Sequence, residues 1–312
     1  MEYLALAQIY ERLEEVSAKL KKTEILAEFF KRVPAEELPK IVLLVQGIVY
    51  PKFTQMELGI ATQMMIRAIS KAAGLKPDEI EDRFAKIGDL GLVAEEYMKS
   101  RKQTALLTEK LTVDFVFRNL RKLATATGGG SQERKLDLIT GLLVSSEPIE
   151  SKYVVRTILG ELRVGVAEGL IRDAIVQAFL VKGEMEKEEM SRATEAVDNY
   201  YNIISDFGEV ARIAREDGID GLKKIRVQVG RPIQVMLGGK AESIESVIKE
   251  FGKVAAEFKY DGMHAEIHKK DDKVWIYTRR LEDVTKQFPD LVEVCKKSLK
   301  ARNALSRVRL WQ

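Results

Sequence analysis

Cysteine and long hydrophobic runs are nearly absent from this 312-residue sequence. Cys295 is the only cysteine, so it cannot form an intramolecular disulfide, and no Cys or His stands near it at the spacing of a structural zinc site. The most apolar stretch, residues 41–50, is about half the roughly 20 residues of a membrane span, and the acidic N-terminus lacks a signal peptide's basic start. We therefore expect a cytoplasmic protein with no membrane role.

The charges of the sequence are almost balanced. Lys and Arg number 51 against 48 for Asp and Glu, which gives a formal net charge of +3. Because the distribution of charge matters more than its sum, this balance neither indicates nor excludes a nucleic-acid partner. With 46% hydrophobic and 32% charged residues, the chain can build one or two cores and is too mixed to be disordered.

Residues 1–207 show the spacing of amphipathic helices. Apolar residues recur three and four positions apart, as in the series Leu6, Ile9, Tyr10, Leu13, Val16 and Leu20. Proline and glycine stand where one helix should end and the next begin, at Pro34, Pro39, Pro51, residues 74–77, residues 128–130 and Pro148. These patterns predict an all-α domain.

The pattern changes after Asp220, where β-prone runs appear at residues 225–229, 255–267 and 274–278. We predict a linker at residues 208–220 and a separate α+β domain at residues 221–312.

Two strands of this second domain should form a hairpin. The polar residues 269–273 favour one of the longer hairpin loops. Alternation along the first strand gives it one core face and one face that is free to meet a ligand. The core face carries Met263, Ala265 and Ile267, and the other face carries His264, Glu266 and His268.

The segment E-F-K-Y-D-G at residues 257–262 carries the sharpest chemical signal. A lysine becomes a nucleophile when its amine loses its proton, and free lysine, with a pKa near 10.4, does so at neutral pH about once in a few thousand molecules. Nearby cations or partial burial must lower the pKa of such a lysine. Gly262 allows the backbone to approach a ligand closely. Taken alone, K-x-D-G fits a structural turn or salt bridge equally well.

With its surroundings, this segment resembles the ATP-dependent DNA ligases, most closely the archaeal enzymes with a helical DNA-binding domain ahead of the catalytic core. The resemblance implies that Lys259 attacks the α-phosphate of ATP to form lysyl-AMP, and that Glu257 reads the adenine amino group. Residues 277–285 resemble the second nucleotidyl-transferase motif, in which Arg279 contacts the nucleotide. Residues 230–237 resemble the start of the adenylation domain.

The implied fold is multi-domain: an all-α DNA-binding domain at residues 1–207, followed by the beginning of an α+β nucleotidyl-transferase domain. The family seals nicks in duplex DNA during replication, repair and recombination, with ATP and Mg²⁺ as cofactors. A rival interpretation is a nicked-duplex DNA-binding protein without catalysis. An RNA ligase or capping-type transferase also shares K-x-D-G, although the large helical domain argues against it.

One position departs from the family pattern. The family carries arginine five residues after the lysine, whereas this chain has His264, a shorter side chain that is mostly neutral at pH 7. We expect His264 to line the ATP pocket with a weaker contact, and a solvent-facing strand histidine is the alternative. For His268 a structural role is favoured.

Two turns of the helical domain resemble the family's DNA contacts. Residues 127–135 resemble its DNA-contacting loop, and residues 160–168 resemble its L-R-x-G signature, whose helix start rests on the minor-groove backbone. Independently of the resemblance, a serine N-cap and free glycine amides suit a phosphate, and cations in a first helical turn suggest an external anion. A plain solvated helix start is the alternative for the first turn. The candidate DNA-binding residues are Gly129, Gly130, Ser131, Arg134, Lys135, Arg163 and Gly165.

A short segment, Q-T-A-L-L at residues 103–107, lies where archaeal ligases carry a sliding-clamp box. The resemblance implies that Gln103, Leu106 and Leu107 bind the clamp. The segment lacks the usual aromatic pair and both leucines fit a helical core equally well, so both interpretations stay open.

After Arg279 the sequence departs more strongly from the family. A V-E-G-E motif, two later lysine motifs and an OB-fold domain are expected, and residues 304–312 read A-L-S-R-V-R-L-W-Q instead. One permitted codon set for this tail, read from the last base of codon 303, translates as C-I-V-E-G-E-A-V-A. Our hypothesis is that a one-base deletion near Asn303 shifted the frame and truncated the chain, and the gene's nucleotide sequence tests it.

We predict that this chain forms little or no lysyl-AMP and does not seal nicks. The shift puts Arg309 where the family glutamate would sit, and the later lysines that surround metal and triphosphate are absent from the 312 residues. Incubation with labelled ATP and magnesium, followed by denaturing electrophoresis, measures the adduct. A stable adenylated band would contradict the prediction.

Overall fold

A computed structural model describes residues 1–100, 110–181, 183, 186–235, 239–258 and 261–310. The chain forms two compact units, which are Met1–Tyr201 with Asp206–Ile225, and Asn202–Ser205 with Arg226–Gln312. Helices build the first unit, whereas the second contains a small sheet and two helices. The predicted fold class, an all-α domain followed by the start of an α+β domain, is confirmed.

Helices follow one another closely in the first unit. They are α1 (Tyr3–Glu15), α2 (Lys19–Arg32), α3 (Leu38–Val45), α4 (Thr62–Ala73), α5 (Pro77–Ile87), α6 (Leu90–Ser100), α7 (Val113–Thr125), α8 (Ser131–Ser145), α9 (Pro148–Ile158), α10 (Glu168–Ile175), α11 (Lys187–Ile204) and α12 (Phe207–Leu222). A 3₁₀ turn lies at Lys52–Thr54, and a π-helical segment at Val176–Leu180 continues α10. The last residues of α11 belong to the second unit.

Helix α1 shows how apolar spacing builds this unit. Its inward stripe consists of the buried residues Tyr3, Leu6, Ala7, Ile9, Tyr10 and Leu13. Burial of each large apolar side chain contributes about 1.5 to 3 kcal/mol, so this stripe fixes the face of the helix that meets the core. The helix ends at Glu15, and Leu20, the last member of the predicted series, lies on α2 with 81% of its surface exposed.

Glycine and proline mark helix boundaries as predicted. Helix α4 ends before Gly74, which has a φ of 71°, and α5 and α9 begin at Pro77 and Pro148. Glycine adopts the left-handed conformation that closes a helix, and proline is tolerated in a first turn because its missing N–H would have no partner there.

Residues 208–220, the predicted linker, lie within α12, so the structure differs from that expectation. Asp206 caps this helix by accepting hydrogen bonds from the Gly208 and Glu209 amides. A Cβ at Gly208 would lie 2.7 Å from the carbonyl oxygen of Pro39, so α12 packs closely on the start of α3. The apolar residues buried along α12 make it part of the first unit's core, which a polar linker would not be.

The second unit is built on a three-stranded antiparallel sheet. Its strands are β1 (Met263–Lys270), β2 (Lys273–Thr278) and β3 (Asn303–Leu310), in the spatial order β2-β1-β3. Helices α13 (Ile244–Phe251) and α14 (Pro289–Ser298) and a 3₁₀ turn at Thr285–Gln287 accompany the sheet. One sheet face and neighbouring residues form the core, which contains Ala265, Ile267, Val274, Ile276, Val284 and Cys295.

Strand predictions were partly wrong in this unit. Residues 225–229 form no strand, and in the run at residues 255–267 β1 begins at Met263, while the described residues 255–258 and 261–262 form no strand. The hairpin loop is also shorter than predicted, because Lys270 pairs with Lys273 across only two residues, and Asp271 takes a φ of 52°. A β-prone segment forms a strand only where a partner strand is available, and the local sequence does not specify that partner.

Glu150 is a carboxylic acid with an unusual environment in the first unit. It is 3% exposed, and its Oε2 accepts a hydrogen bond of 2.8 Å from the Glu147 amide. Burial is the main reason that its pKa rises to about 7, and repulsion from Glu147 and Glu2 adds to the rise. Folding therefore favours the protonated form of this side chain.

We predict that Glu150→Gln stabilises the first unit at pH 8 but not at pH 4. Because the folded-state pKa is raised, the favourable contribution of the wild-type carboxyl is present at low pH and is lost as the pH rises towards 7. Glutamine keeps an acceptor oxygen without charge, so the gain at pH 8 should be roughly 1 to 3 kcal/mol. Thermal unfolding by circular dichroism at both pH values measures it, with Glu15→Gln as the exposed control. An equal effect at both pH values would contradict the prediction.

Candidate DNA-binding and nucleotide-binding sites

The glycine loop leads into α8 through a left-handed turn. Gly130, with a φ of 69°, is the N-cap of α8, and Ser131 is the first residue of the helix. No side chain caps this helix end, so the predicted N-cap role of Ser131 is wrong. Gly128 has a φ of 79°, which also favours glycine. Gly129 differs from both in its φ, which is outside the left-handed region. A Cβ added at Gly129 would meet no atom within 4 Å, as at Gly128.

The two basic residues of the first α8 turn have acceptors within the chain. The Arg134 guanidinium donates to the carbonyl oxygens of Gly129 at 3.1 Å and Thr127 at 2.9 Å. The Lys135 ammonium donates to the Leu58 carbonyl at 2.9 Å. The helix position of these cations therefore does not require an external anion, contrary to the sequence argument. Arg134 instead holds the glycine loop against its own helix.

The L-R-x-G turn precedes α10. Arg163 and Gly165 both have left-handed backbones, with φ values of 57° and 65°. A Cβ at Gly165 would lie 2.6 Å from Nζ of Lys22, so a side chain there would displace this ammonium group, and the positive φ favours glycine in addition. Lys22 is buried and donates to the Val164 carbonyl at 2.5 Å, which ties the turn to α2.

The Arg163 side chain also has partners within the chain. Its guanidinium donates to Oδ2 of Asp89 at 3.3 Å and to Oε2 of Glu161 at 2.5 Å. Asp89 is bound in turn by Arg156 at 2.8 Å. Sequence reasoning missed Asp89 and Arg156. The position of Asp89 just before α6 was a signal for a helix cap, but no pattern pointed to its arginine partners.

The K-x-D-G segment leads into β1. Lys259 lies outside the described residues, so its nucleophilic role stays a prediction, and Glu257 is exposed. Gly262 has a φ of 149°, and a Cβ there would lie 2.4 Å from the Leu310 carbonyl oxygen. Close packing of β3 therefore accounts for this glycine without a ligand.

Basic side chains gather at the end of the sheet that adjoins K-x-D-G. His264 is exposed and pairs directly with Arg309 of β3, whose guanidinium donates to His264 Nε2 at 2.6 Å. Arg279 is exposed and follows the last pair of the hairpin, Ala265 with Thr278, so it lies at the same end of the sheet. Guanidinium groups in this arrangement suit a phosphate-bearing ligand.

Further along β1 the supposed ligand face is closed, which corrects the sequence interpretation. Glu266 and His268 are 6% and 0% exposed. The Gly230 amide donates to His268 Nδ1 at 2.8 Å, and the Ile233 amide donates to Glu266 Oε1 at 2.8 Å. Residues 230–233 therefore cover this part of the face. The structural role favoured for His268 agrees with its burial.

These contacts fix the charge state of the covered face. Because His268 Nδ1 accepts a hydrogen bond, Nε2 carries the proton and donates to Glu266 Oε1 at 2.6 Å. Burial alone would raise the pKa of Glu266, but hydrogen bonds from His268 and Ile233 and the charge of Arg307 hold it below its ordinary value. The Tyr277 hydroxyl adds a bond of 2.9 Å to the Gly230 carbonyl.

Some predicted sites cannot be placed. Gln103, Leu106 and Leu107 lie outside the described residues, as do Met236 and Leu237 of the adenylation-domain start, so clamp binding stays a prediction. Within the part of the chain that the structure describes, no three His, Cys, Asp or Glu side chains could together hold a metal ion. No described helix is both long and apolar enough to cross a membrane.

Comparison with known sequences agrees with both units. Residues 2–176 match the family model described as "DNA ligase N terminus", and residues 235–305 match "ATP dependent DNA ligase domain". The chain belongs to the ATP-dependent DNA ligase family. The N-terminal match covers most of the helical unit, which favours the DNA ligases over the RNA ligase and capping-type alternatives.

Similar DNA ligases come from archaea. The DNA ligase of Nanoarchaeum equitans is 45% identical over 306 residues, 98% of this chain and 52% of the relative. Those of Thermococcus onnurineus and Archaeoglobus fulgidus are each 40% identical, over 98% and 96% of this chain and 52% of each relative. The chain thus spans about half the length of the curated ligases it matches.

We predict that His268→Ala destabilises the second unit by roughly 2 to 4 kcal/mol, because the Gly230 amide and the buried Glu266 carboxylate lose their common partner. Tyr277→Phe, which removes one hydrogen bond to Gly230, is the control and should cost about 1 kcal/mol. No tryptophan precedes residue 226 in the sequence, so tryptophan fluorescence during urea unfolding reports on the second unit. Equal losses in the two variants would show that His268 is not the centre of the network.

Proposed function

We propose that the helical unit of this chain holds nicked duplex DNA and that Lys259 is the residue that accepts AMP from ATP in the ligation reaction of the family, although we expect little lysyl-AMP from these 312 residues by themselves. The conformation and the open surroundings of Gly129 are the main support for the proposed DNA binding. Its φ and its open surroundings would tolerate a side chain, so the fold itself does not require glycine at this position. A phosphate that approaches the loop backbone supplies a reason for glycine that the protein's own packing does not.

The two turns suit contact with a DNA backbone rather than with bases. The glycine loop leads into α8 and the L-R-x-G turn precedes α10, and helix N-termini are favourable for phosphate. Contacts of this kind position a protein on duplex without reading its sequence. That property fits an enzyme that must act on nicks in any sequence context.

The proposed chemistry is a series of displacements at phosphorus. The neutral amine of Lys259 attacks the α-phosphate of ATP, a nitrogen–phosphorus bond forms, pyrophosphate leaves with the α–β bridging oxygen, and the amine loses a proton. The 5′-phosphate of the nick then takes AMP from the lysine, and the 3′-hydroxyl displaces AMP to join the strands. Positioned cations do most of the work in such transfers.

The described residues fit the nucleotide better than the metal. The guanidinium groups of Arg279 and Arg309 can neutralise phosphate charge, and the exposed carboxylate of Glu257 can accept a hydrogen bond from the adenine amino group. Family membership implies a divalent cation, but the described residues provide no carboxylate cluster for Mg²⁺.

Binding without catalysis is the second candidate, and the position of Arg309 favours it for this chain. The family glutamate is expected where Arg309 now pairs with His264 across β1 and β3. A guanidinium cannot replace a carboxylate as a metal ligand. Duplex binding that weakens steeply with salt, without ATP-dependent joining, is the result that distinguishes this candidate.

We predict that Gly129→Ala weakens binding to nicked duplex DNA by roughly an order of magnitude without lowering the unfolding temperature, since the methyl group fits the free protein but would stand between backbone and phosphate. Gly141→Ala is the matched control, because its Cβ would also meet no atom within 4 Å and it lies far along α8. Fluorescence anisotropy with a labelled nicked duplex measures affinity. Unchanged affinity in Gly129→Ala would remove the main support for the proposal, whereas loss of binding in both variants would point to α8 as a whole.

A further inference from the structure

Asp89 is a buried carboxylate with an unusual number of donors. Oδ1 accepts from the amides of Gly91 at 2.8 Å and Leu92 at 3.2 Å, which caps α6. Oδ2 accepts from Arg156 at 2.8 Å and from Arg163 at 3.3 Å. A single side chain that is 6% exposed thus joins the start of α6, the buried face of α9 and the L-R-x-G turn.

Arg156 fixes Asp89 from the side of α9. This arginine is 3% exposed and also donates to Glu14 of α1 at 3.0 Å, and Glu14 accepts from Lys152 at 2.9 Å. Burial would raise the pKa of Asp89, but the hydrogen bonds and charge of Arg156 outweigh it and hold that pKa below its ordinary value. The carboxylate is therefore charged at neutral pH, and Arg156 and the α6 amides hold it in addition to Arg163.

Arg163 is the exposed member of this group. Nearly half of its side chain, 47%, is accessible, and exposed ion pairs contribute little to stability. Its backbone, however, has the left-handed conformation, which is unfavourable for a residue other than glycine. The bond between Arg163 and Asp89 therefore acts on the conformation of the turn more than on the stability of the unit.

We propose that Asp89 is a positioning residue for DNA binding: through Arg163 it sets the conformation of the L-R-x-G turn, so that the backbone around Gly165 and the start of α10 meet the phosphates. Lys22 holds the same turn by donating to the Val164 carbonyl. Two neighbouring residues of the turn, Arg163 and Val164, are therefore each bound by a charged side chain. The DNA part of this inference rests on the proposed function, whereas the control of the turn by Asp89 does not.

The first test measures the turn without DNA. Arg163→Gln removes the exposed charge and should fold normally. Hydrogen exchange of the amides at residues 162–166 should become roughly tenfold faster, because the turn loses the bond to Asp89. Arg192→Gln, which removes an exposed arginine paired with Glu188 on α11, is the matched control and should leave this exchange unchanged. Unchanged exchange in Arg163→Gln would overturn the inference, whether or not the protein binds DNA.

The second test measures coupling between the two residues. Asp89→Asn keeps an acceptor oxygen for the α6 cap but cannot accept from both arginines, and Asp89→Asn and Arg163→Gln should each weaken nicked-duplex affinity roughly five- to tenfold. If Asp89 acts through Arg163, the double variant should bind no more weakly than the weaker single variant. Asp114→Asn, which removes a carboxylate paired with Lys40 and Arg118, is the matched control and should keep wild-type affinity.

The outcomes separate this inference from the proposed function. Additive losses in the double variant would show that Asp89 affects binding by another route and would overturn the inference. Absence of nicked-duplex binding by the wild-type chain would refute the proposed function, and the exchange experiment would still decide the role of Asp89. Unfolding by circular dichroism identifies an Asp89→Asn protein that fails to fold, in which case exchange in Arg163→Gln decides alone.

Discussion

The buried guanidinium of Arg156 is the interaction on which much of the helical unit depends. It lies on α9 and binds Glu14 of α1 and Asp89 before α6, so three helices meet at one charge. Removal of one partner from a buried ion pair commonly costs about 3 to 5 kcal/mol, since the remaining charge is left without compensation. The packing of these helices and the shape of the adjacent turn are therefore linked through a single side chain.

The sheet unit uses the same principle with different groups. Residues 230–233 do not add a strand to β1, yet two of their amides bind side chains that project from it, His268 and Glu266. These bonds from backbone amides to side chains satisfy the amides of residues 230 and 233, which in a paired strand would donate to backbone carbonyls. They also leave only the end of the face around His264 open to a ligand.

The sequence predicted those features that depend on local pattern or on recognisable motifs. Apolar spacing and turn residues predicted the helical domain, the start of one helix at Pro77 and of another at Pro148, and strand β2. The structure contains all of these. The family followed from several motifs in order, and the comparisons confirm it. The roles of individual site residues remain predictions, because the motifs name residues without showing their contacts.

What the sequence could not predict depends on distant partners. Arg134 is an exception in distance, since its carbonyl acceptors at Gly129 and Thr127 are five and seven residues away, but they face it only after the glycine loop has folded back. The pair of Asp89 with Arg163 joins residues 74 positions apart, and the burial of His268 depends on residues 230–233 crossing β1. Alternation along a strand shows which side chains share a face but not what covers that face.

The outer edge of β2 has a consequence for how this sheet can grow. The Val284 amide donates to the Ile276 carbonyl, and the Ile276 amide donates to the Thr285 hydroxyl, each at 2.9 Å, so irregular chain already occupies that side. An incoming strand therefore cannot pair with this side of β2 without displacing those bonds. At the opposite side of the sheet, the Arg307 guanidinium of β3 donates to Glu266 and to the carbonyls of Ile233 and Gln234, so its charge is already held within the unit.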